Sequence, residues 1–409
     1  MTIVYIINGL GFSKGMPPGG ADKRAVEIGK KLQESDVEIF CLTTDAGEEV
    51  LKKEGFEVSY ITFKRPSWWP KSLENGLIGR MLSYFYVTLA ERLKINEILN
   101  AVNNSKSDPP AGGLKYVIYP TSDMFFDILP AWSLKHFLKG SKFMGIVHHW
   151  IPKDRPGNKF KNLILYAYQR FGFLVLRNTA DLIVVPENPE GEKITKDLID
   201  FGINKEKINW FRNGADVSGI IKTVAPKKEY DACFLGSIRP SKGIFDIPAI
   251  WKGVVKEIPE AKLLIVGGGL KQYQDELEEK IKKGNLSESI IFAGVVPQED
   301  LYKIVKSARV FISPSHEEGW GIVVGEALAA GLPVIAYELP AFKVYKDLIT
   351  TVKMEDTANF SKEVIRFLKD EEKLKEASEK GVKGAKEFSW EKAAEKELVA
   401  IKKLFDGQD

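Results

Sequence analysis

Short apolar runs alternate with helical stretches along most of this 409-residue chain, and this alternation constrains the fold more than any other feature. The run "TIVYII" at 2–7 is typical of a strand that is buried on both faces. The stretch at 21–35 then repeats apolar residues at helical spacing. The pattern predicts an α/β fold with a doubly wound parallel sheet. Further strand-like runs lie at 37–44, 57–63, 116–121, 142–149 and 181–186.

A second set of strand-like runs indicates a second domain of the same kind. A chain of this length exceeds one ordinary hydrophobic core, so two domains of similar size are expected. The turn-rich stretch 209–230 is interpreted as the linker between them. We predict two Rossmann-like domains, 1–212 and 213–388, that face each other across a cleft. The last helix, in 389–409, is expected to pack back on the first domain. The runs of the second set lie at 231–236, 261–269, 289–296, 308–315 and 333–338.

The composition limits the classes of function. With 59 basic and 56 acidic residues, the chain lacks the general basic footprint of a nucleic-acid-binding protein, and no nucleic-acid partner is expected. Cys41 and Cys233 lie far apart in apolar runs, which favours a reducing, cytoplasmic location over a disulfide framework. The opening stretch is typical of a strand and turn rather than a signal peptide, and no apolar run has the length of a spanning helix.

The stretch "SPSHEEGWGIVVGEALAAGLPVIA" at 313–336 holds two carboxylates on either side of a glycine turn. Glu318 follows a predicted strand, and Glu326 is expected about two turns into the next helix. Free N–H groups at a helix start suit a phosphate, and carboxylates accept hydrogen bonds from sugar hydroxyls. The combination suggests a sugar nucleotide. The two glutamates alone would also fit an ordinary capped and solvated helix.

This stretch resembles the Glu-x7-Glu signature of the family-four glycosyltransferases, which have the GT-B fold and retain the anomeric configuration. The resemblance implies that Glu326 holds the ribose of the nucleotide and that Glu318 contacts the donor sugar. The amides that follow, at Gly319, Trp320, Gly321 and Ile322, would lie near the diphosphate. The matching positions are Pro314, Ser315, Glu318, Gly319, Trp320, Gly321, Glu326, Ala327, Gly331, Pro333 and Val334.

The stretch "CFLGSIRPSKGI" at 233–244 resembles the family's diphosphate-binding loop. Lys242 stands where the family has its lysine. The family's arginine usually follows the glycine directly, but Ser237 occupies that place, and we assign the role to Arg239. Fixed cations stabilise the negative charge that gathers on a leaving diphosphate. The resemblance also places Gly236, Gly268 and Val295 on the nucleotide side of the site.

Two segments of the first domain resemble the same family. Gly19 and Gly20 precede a predicted helix, where their amides would face the donor phosphate or sugar. The stretch "GIVHHWIP" resembles the family's histidine segment and favours His148, with His149 second, as a contact of the donor sugar. The alternatives are a turn that uses glycines for its geometry and a structural histidine pair.

The resemblance implies a metal-free site, since no Asp-x-Asp pair occurs in the chain. Arg239, Lys242 and helix dipoles would balance the diphosphate instead. No cofactor is expected beyond the co-substrate, a UDP- or GDP-sugar. The acceptor would be a saccharide or a lipid-linked molecule on the first domain.

The segment 63–94 combines basic residues with tryptophans, a composition that suits a membrane interface. We therefore predict peripheral contact with the inner face of the membrane. The alternative is that the tryptophans pack on the core or shape the cleft. The residues concerned are Arg65, Trp68, Trp69 and Lys71.

A retaining hexosyltransferase is the function that the resemblance implies. A GT-B epimerase and a non-catalytic protein that binds nucleotide sugars stay open as alternatives. The Glu318–Glu326 signature fits the epimerases poorly, and a pyridoxal-type phosphorylase would need a much longer chain. A Rossmann dehydrogenase is disfavoured because no Gly-x-Gly-x-x-Gly follows the first strand. The base, the sugar and the acceptor are not predictable from the sequence.

Overall fold

The structure, a computed structural model, divides the chain into two compact units. The first unit comprises Met1–Arg212 with Ala393–Asp409, and the second comprises Asn213–Lys392. The described residues are 1–8, 20–64, 86, 89–90, 94–103, 115–151, 153 and 159–406. Gly19 and the predicted interfacial residues lie outside them. Those interfacial residues are Arg65, Trp68, Trp69 and Lys71.

The first unit is built on a parallel sheet, whose strand order within the described residues is β3-β2-β1-β4-β5-β6-β7. Val4 of the central strand β1 pairs with Phe40 on one side and Ile118 on the other. Every residue of β1 and β4 is buried, because helices cover both faces of such a sheet. The strands are β1 Thr2–Ile7, β2 Glu38–Thr44, β3 Ser59–Phe63, β4 Tyr116–Pro120, β5 Lys142–Ile146, β6 Leu182–Pro186 and β7 Ile208–Phe211.

The helices of the first unit begin at recognisable caps. Thr44 accepts a hydrogen bond from the Gly47 amide at the start of α2, and Asn188 does the same for Gly191 in α6. Pro189 occupies the first turn of α6, where its missing N–H costs nothing. The described helices are α1 Gly20–Gln33, α2 Asp45–Lys53, α3 Ile95–Asn103, α4 Phe125–Phe137, α5 Lys159–Thr179 and α6 Pro189–Asp200.

The second unit repeats this plan with its own sheet, in the order β10-β9-β8-β11-β12-β13, again parallel. Its strands are β8 Tyr230–Leu235, β9 Leu263–Val266, β10 Ile290–Gly294, β11 Ala308–Ser313, β12 Val334–Tyr337 and β13 Thr350–Val352. Its helices are α7 Val217–Lys222, α8 Ile247–Glu257, α9 Lys271–Lys283, α10 Gln298–Val305, α11 Ile322–Ala329, α12 Thr357–Lys369 and α13 Glu371–Ala385. A last helix, α14 Trp390–Lys402, ends the described elements.

Each sheet contains a switch point, where the strand order reverses direction. In the second unit the chain leaves β8 toward β9 on one side, while β11 lies on the other side of β8. In the first unit β1 and β4 stand in the same relation. Loops that leave two such strands diverge, and open α/β sheets bind ligands between them at the carboxyl ends. The two switch points are therefore the places to look for functional side chains.

The stretch 209–230 contains the boundary between the two units, but it is not an irregular linker throughout. Trp210 pairs with Val185 in the first sheet, as part of β7. Asp216 caps α7 by accepting a hydrogen bond from the Gly219 amide. The polar and glycine residues that resembled a linker are thus a strand end and a helix start. Among the described helices, none combines the length and the apolar character needed to cross a bilayer.

Candidate functional site

The loops after β8 and β11 are joined by a Lys–Glu pair at the switch point of the second unit. Lys242 Nζ lies 2.5 Å from Glu318 Oε1, and the side chains are 16% and 9% exposed. Ser315 Oγ donates to the same carboxylate oxygen at 3.0 Å. The structure therefore brings together two predicted site residues that lie 76 positions apart in the sequence.

The backbones of these two loops touch, which fixes the positions of Lys242 and Glu318. Gly243 has a left-handed φ of 62°, and a Cβ there would lie 1.7 Å from the carbonyl oxygen of Pro314. The amides of His316 and Glu317 donate to the carbonyl of Ser241 at 3.0 and 3.2 Å. Only glycine fits position 243 without moving the other loop.

Glu326 is buried, with 2% of its surface exposed. It is the fifth residue of α11, so it lies about one turn into the helix and the expectation of two turns is wrong. Gly321, at a φ of 81°, turns the loop and makes Ile322 the first helical residue. The hydroxyl of Tyr302 on α10 donates to Glu326 Oε1 at 2.9 Å and orients the carboxylate. No sequence pattern predicted this role of Tyr302.

The other predicted nucleotide-side residues follow strands at the same edge of the sheet. Gly236 follows β8, Gly268 follows β9, and Val295 follows β10. Backbone bonds connect these loops: the Ile238 amide donates to Gly268 at 2.9 Å, and the Gly236 amide to Val266 at 3.0 Å. The four loops that carry the predicted residues therefore leave four neighbouring strands.

The predicted residues of these loops differ in exposure. Trp320 is buried, whereas Val295 is 65% exposed. Arg239 is exposed and stands in extended backbone just before the short turn Pro240–Lys242. Gly319 and Ile322 are half-buried at the start of α11. Arg239 and Val295 are thus the most accessible of the predicted residues in the second unit.

A histidine that the sequence analysis did not assign lies in the same loop. His316 Nε2 is 2.8 Å from Asp246 Oδ2, and the hydroxyl of Tyr337 donates to that oxygen at 2.9 Å. Burial and the neighbouring Asp246 carboxylate raise the pKa of Tyr337 well above its usual value, so its hydroxyl stays protonated. The Asp246 carboxylate therefore orients the His316 ring.

In the first unit, His148 lies in the loop after β5. Its Nε2 lies 3.0 Å from the carbonyl oxygen of Thr121, which follows β4. A carbonyl only accepts, so Nε2 carries the proton and donates. Burial lowers the pKa of His148 to about 3, and the ring is neutral at physiological pH. The Nδ1 of this tautomer is therefore a hydrogen-bond acceptor.

A buried carboxyl group, Asp127, stands at the switch point of the first unit. Its Oδ1 accepts from the Asn8 amide at 2.8 Å, and its Oδ2 accepts from Ser122 Oγ at 2.5 Å. Burial raises the pKa of Asp127 to about 8 despite these hydrogen bonds. Asp127 was not among the predicted site residues, although its position shortly after a predicted strand was a usable signal.

A second buried carboxyl group, Asp123, anchors the loop that follows the histidines. Gln169 Nε2 donates to Asp123 Oδ2 at 2.6 Å and to the carbonyl of His149 at 2.7 Å. Gln169 Oε1 accepts from the Ile151 amide at 2.8 Å. Burial raises the pKa of Asp123 to about 7. Gln169 thus ties the histidine loop to the loop after β4.

Two further observations complete the placement of the predicted residues. Gly20 is the first residue of α1 and is exposed, whereas Gly19 lies outside the described residues. Within the described part of the chain, no group of three or more His, Cys, Asp and Glu side chains is arranged to hold a metal ion.

The region that holds the Lys242 and Glu318 loops is similar to a known protein family. Residues 220–384 match the sequence model of the family "Glycosyl transferases group 1". The chain is 28% identical over 174 residues to O-antigen chain mannosyltransferase B of Escherichia coli, covering 42% of this chain and 46% of that protein. It is 28% identical over 205 residues to phosphatidyl-myo-inositol mannosyltransferase of Mycobacterium leprae, covering 49% and 52%. The chain spans about half the length of these curated relatives.

Among solved structures, the chain is similar to HepE of Anabaena, solved in complex with UDP and glucose. The TM-score is 0.72 at 14% identity, over 98% of this chain and 100% of that chain. At this identity the similarity establishes the fold, which is the GT-B arrangement of two Rossmann-like units. Residues 220–384 are thus similar to the group 1 glycosyl transferases, and the chain has the GT-B fold.

Proposed function

We propose that this protein is a retaining glycosyltransferase that moves a sugar from a nucleotide-sugar donor to a hydroxyl acceptor. The observation that carries the proposal is the pairing of Lys242 with Glu318 at the switch point of the second unit. The pair lies within the region that matches the group 1 family. A switch point between parallel strands is where such sheets bind nucleotides.

Glu326 is the group that we assign to the ribose of the donor. Its carboxylate is buried and oriented by Tyr302, so it can accept hydrogen bonds from ribose hydroxyls in a fixed geometry. The base would lie against the backbone at Val295, beside Gly268. Recognition of hydroxyl groups by a pre-oriented carboxylate gives selectivity over ligands that lack those hydroxyls.

Lys242 and Arg239 would neutralise the diphosphate as the bond to the sugar breaks. Lys242 is held by Glu318, and Arg239 is exposed three positions earlier in the same loop. The amides of Gly319 to Ile322 at the start of α11 would add hydrogen bonds to the phosphate oxygens, with Gly236 bordering them. These groups supply the charge compensation that a metal ion supplies elsewhere, so we propose that no metal is required.

We assign the sugar contact of the second unit to Glu318. Within the first unit, His148 is a separate candidate for a sugar contact. Neutral His148 keeps Nε2 on Thr121, and its Nδ1 would accept a hydrogen bond from a sugar hydroxyl. Gly20, at the start of α1, would offer its amide to a donor phosphate or sugar oxygen. We propose that the sugar passes directly from the donor to the acceptor without a covalent enzyme intermediate, and that the leaving diphosphate takes up the proton of the acceptor hydroxyl.

The donor would be a UDP- or GDP-sugar, and the acceptor a saccharide or a lipid-linked molecule. The HepE structure contains UDP and glucose, and two relatives are named mannosyltransferases, one of them for phosphatidyl-myo-inositol. Those names support a nucleotide sugar without choosing the base. A cytoplasmic location and membrane contact through residues 65–71 stay predictions from the sequence.

Product analysis with a donor panel tests the proposal. The purified chain is incubated with UDP- and GDP-sugars and with saccharide or lipid acceptors, and nucleoside diphosphate release and product stereochemistry are measured. Transfer with retained anomeric configuration supports the proposal. Isomerised donor without transfer would identify an epimerase, and donor binding without turnover would identify a non-catalytic binding protein.

A further inference from the structure

The outward face of helix α5 carries a continuous apolar stripe. Phe160, Leu163, Phe171 and Leu174 are 67%, 51%, 41% and 42% exposed. Together with the exposed Ala167, they recur every three or four residues and therefore lie on one side of the helix. Large exposed apolar side chains that form one contiguous patch mark an interaction surface more often than scattered ones do.

The stripe does not belong to the hydrophobic core of the first unit. Phe173 and Leu176, on the opposite side of α5, are fully buried in that core. Helix α5 is therefore apolar on two faces, and the core accounts for one of them. The outer apolar face is therefore not explained by the core and is a candidate interaction surface.

Helix α4 extends the same surface. Its Trp132 is 39% exposed and, with Leu129, lines a cavity of about 280 Å³ that is also bordered by Phe171 and Leu174. Phe125 of α4 packs on Tyr168 of α5, with ring centroids 4.4 Å apart, so the two helices form one continuous surface. We name this surface the α4–α5 face, with Trp132, Phe160, Leu163, Phe171 and Leu174 as its apolar residues.

The charged residues in the sequence of helix α5 have one sign. The 21 residues of α5 include Lys159, Lys161, Arg170 and Arg177 and contain no Asp or Glu. The acidic residue of α4, Asp127, is buried. Lys159 and Arg177 are exposed at the two ends of the stripe. A second copy packed through the same stripe would bring like charges together, which disfavours self-association.

We propose that the α4–α5 face binds an anionic lipid bilayer, with α5 lying in the plane of the surface. Aromatic and aliphatic side chains enter the headgroup boundary, and basic side chains reach the lipid phosphates. Helix α5 is about 31 Å long, which provides an extended contact. The proposal concerns helices α4 and α5 and does not depend on residues 65–71 or on the identity of the donor.

Vesicle flotation tests the apolar part of the proposal. The full chain is floated with phosphatidylcholine vesicles that contain or lack phosphatidylglycerol, at low and high salt. We expect binding that needs the anionic lipid and weakens with salt. The variant Phe171→Ser/Leu174→Ser should lower the partition coefficient about tenfold or more. The control Val224→Ser/Val399→Ser changes side chains that are 83% and 51% exposed outside the face, and should bind like the wild type.

Charge substitutions test the basic part separately. Lys159→Gln/Arg177→Gln removes two exposed charges from the ends of the stripe and should weaken binding to anionic vesicles about tenfold or more. Lys282→Gln/Lys283→Gln removes two exposed charges from α9 in the second unit and should have little effect. Equal losses in the two variants would indicate general attraction of a basic protein and would overturn the proposal.

A fluorescent label places the contact on the molecule. Cys41 and Cys233 are fully buried, so a cysteine introduced by Leu163→Cys can be labelled selectively with an environment-sensitive dye. Its emission should shift to the blue on anionic vesicles, because the label enters an apolar medium. The same label at Val224→Cys should not shift. Absence of a shift at position 163 would contradict the proposed contact.

Three further results would overturn the proposal. The wild type could fail to float with anionic vesicles, or it could lose binding only in Trp68→Ala/Trp69→Ala, which would place the contact elsewhere. Light scattering could also show a dimer that Phe171→Ser/Leu174→Ser converts to a monomer without any loss of lipid binding. Thermal melts confirm that each variant is folded. Because the vesicles contain neither donor nor acceptor, failure here is distinguishable from failure of the proposed glycosyl transfer.

Discussion

At the scale of single residues, Lys242 can pair with either of two negatively charged groups, the Glu318 carboxylate or the proposed diphosphate. In the structure it pairs with Glu318, whereas the proposed reaction needs it beside the diphosphate. Because fixed positive charge stabilises the leaving group, Lys242→Gln should lower kcat about 10²- to 10³-fold. Lys242→Arg keeps the charge and should lose less. Lys252→Gln, an exposed lysine of α8, is the matched control, and steady-state kinetics with the best donor provide the measurement.

The buried carboxyl group of Asp127 predicts a pH dependence of stability. Its pKa is raised to about 8 in the folded protein, far above the value near 4 of an unfolded chain. The folded state therefore binds the extra proton, and its stabilising effect is lost as the pH rises from about 4 to 8. Asp123, with a pKa of about 7, acts in the same direction. Asp127→Asn should flatten the dependence, which urea unfolding at pH 6.5 to 8 measures.

His148 determines the pH window of that experiment. Its pKa is lowered to about 3. Below pH 6.5 the His148 ring therefore binds a proton in the unfolded chain that it does not bind in the folded chain. The His148 contribution thus falls as the pH falls from about 6.5 to 3, opposite to the effect of Asp127. Of these three groups, only Asp127 and Asp123 change the stability with pH above pH 6.5. A slope in Asp127→Asn as steep as that of the wild type would contradict the assigned pKa.

The residues predicted from sequence and those missed differ in one physical respect. Glu318, Glu326 and Lys242 stand in glycine-containing loops directly after strands, a local pattern that one sequence can show. Tyr302, which orients Glu326, and Gln169, which holds the histidine loop, act across elements. Their contacts depend on how helices pack on the sheet, and no local spacing encodes that packing.

At the scale of elements, two glycines offer a matched test of how the donor loop is held. Gly243 and Gly294 both have left-handed φ angles, 62° and 69°. A Cβ at 243 would meet the Pro314 carbonyl at 1.7 Å, whereas a Cβ at 294 meets nothing within 4 Å. Gly294→Ala should cost about 1 kcal/mol of backbone strain. Gly243→Ala should cost more and weaken donor binding, because the Glu318 loop must move. Similar melting temperatures and donor affinities in the two variants would contradict this account.

The strands were the elements that the sequence predicted best. Buried parallel strands consist of continuous apolar residues, and such runs stand out from their surroundings. The stretch 209–230 was misjudged because β7 is a short, partly buried edge strand, and its flanking turn residues are helix-capping groups. Edge strands carry a weaker apolar signal than central ones. The alternation of strands and helices predicted the strand order of the sheets, and therefore the switch points, only in outline.

At the scale of the whole molecule, the last described helix, α14, contacts the first helix, α1. Glu397 of α14 forms an ion pair with Arg24 of α1, and both side chains are almost fully buried. Arg24 also donates to the Tyr119 hydroxyl at 3.1 Å. Breaking a buried pair from one side leaves an uncompensated charge, so Glu397→Ala should cost about 3–5 kcal/mol in urea unfolding. The exposed Glu395→Ala on the same helix should cost little.

The double variant Arg24→Met/Glu397→Leu separates the two explanations of such a loss. If the cost arises from an unpaired buried charge, the apolar pair should be more stable than Glu397→Ala. If α14 contributes only through its packing, the two single glutamate variants should lose similar amounts and the double variant should gain nothing. Equal stability of Glu397→Ala and Glu395→Ala would contradict the buried pair.

The most direct test of the account is whether Glu326 is needed for donor binding. Thermal shifts are recorded with UDP-, GDP- and ADP-sugars for the wild type, for Glu326→Gln and for the exposed control Glu338→Gln. Glutamine keeps an oxygen that can accept the hydrogen bond from Tyr302. It removes the negative charge that would strengthen hydrogen bonds from the ribose hydroxyls. If Glu326 binds the donor, one nucleotide family should raise the Tm of the wild type and of the control, but not that of Glu326→Gln. Equal stabilisation of all three, or none by any nucleotide sugar or nucleoside diphosphate, would contradict it.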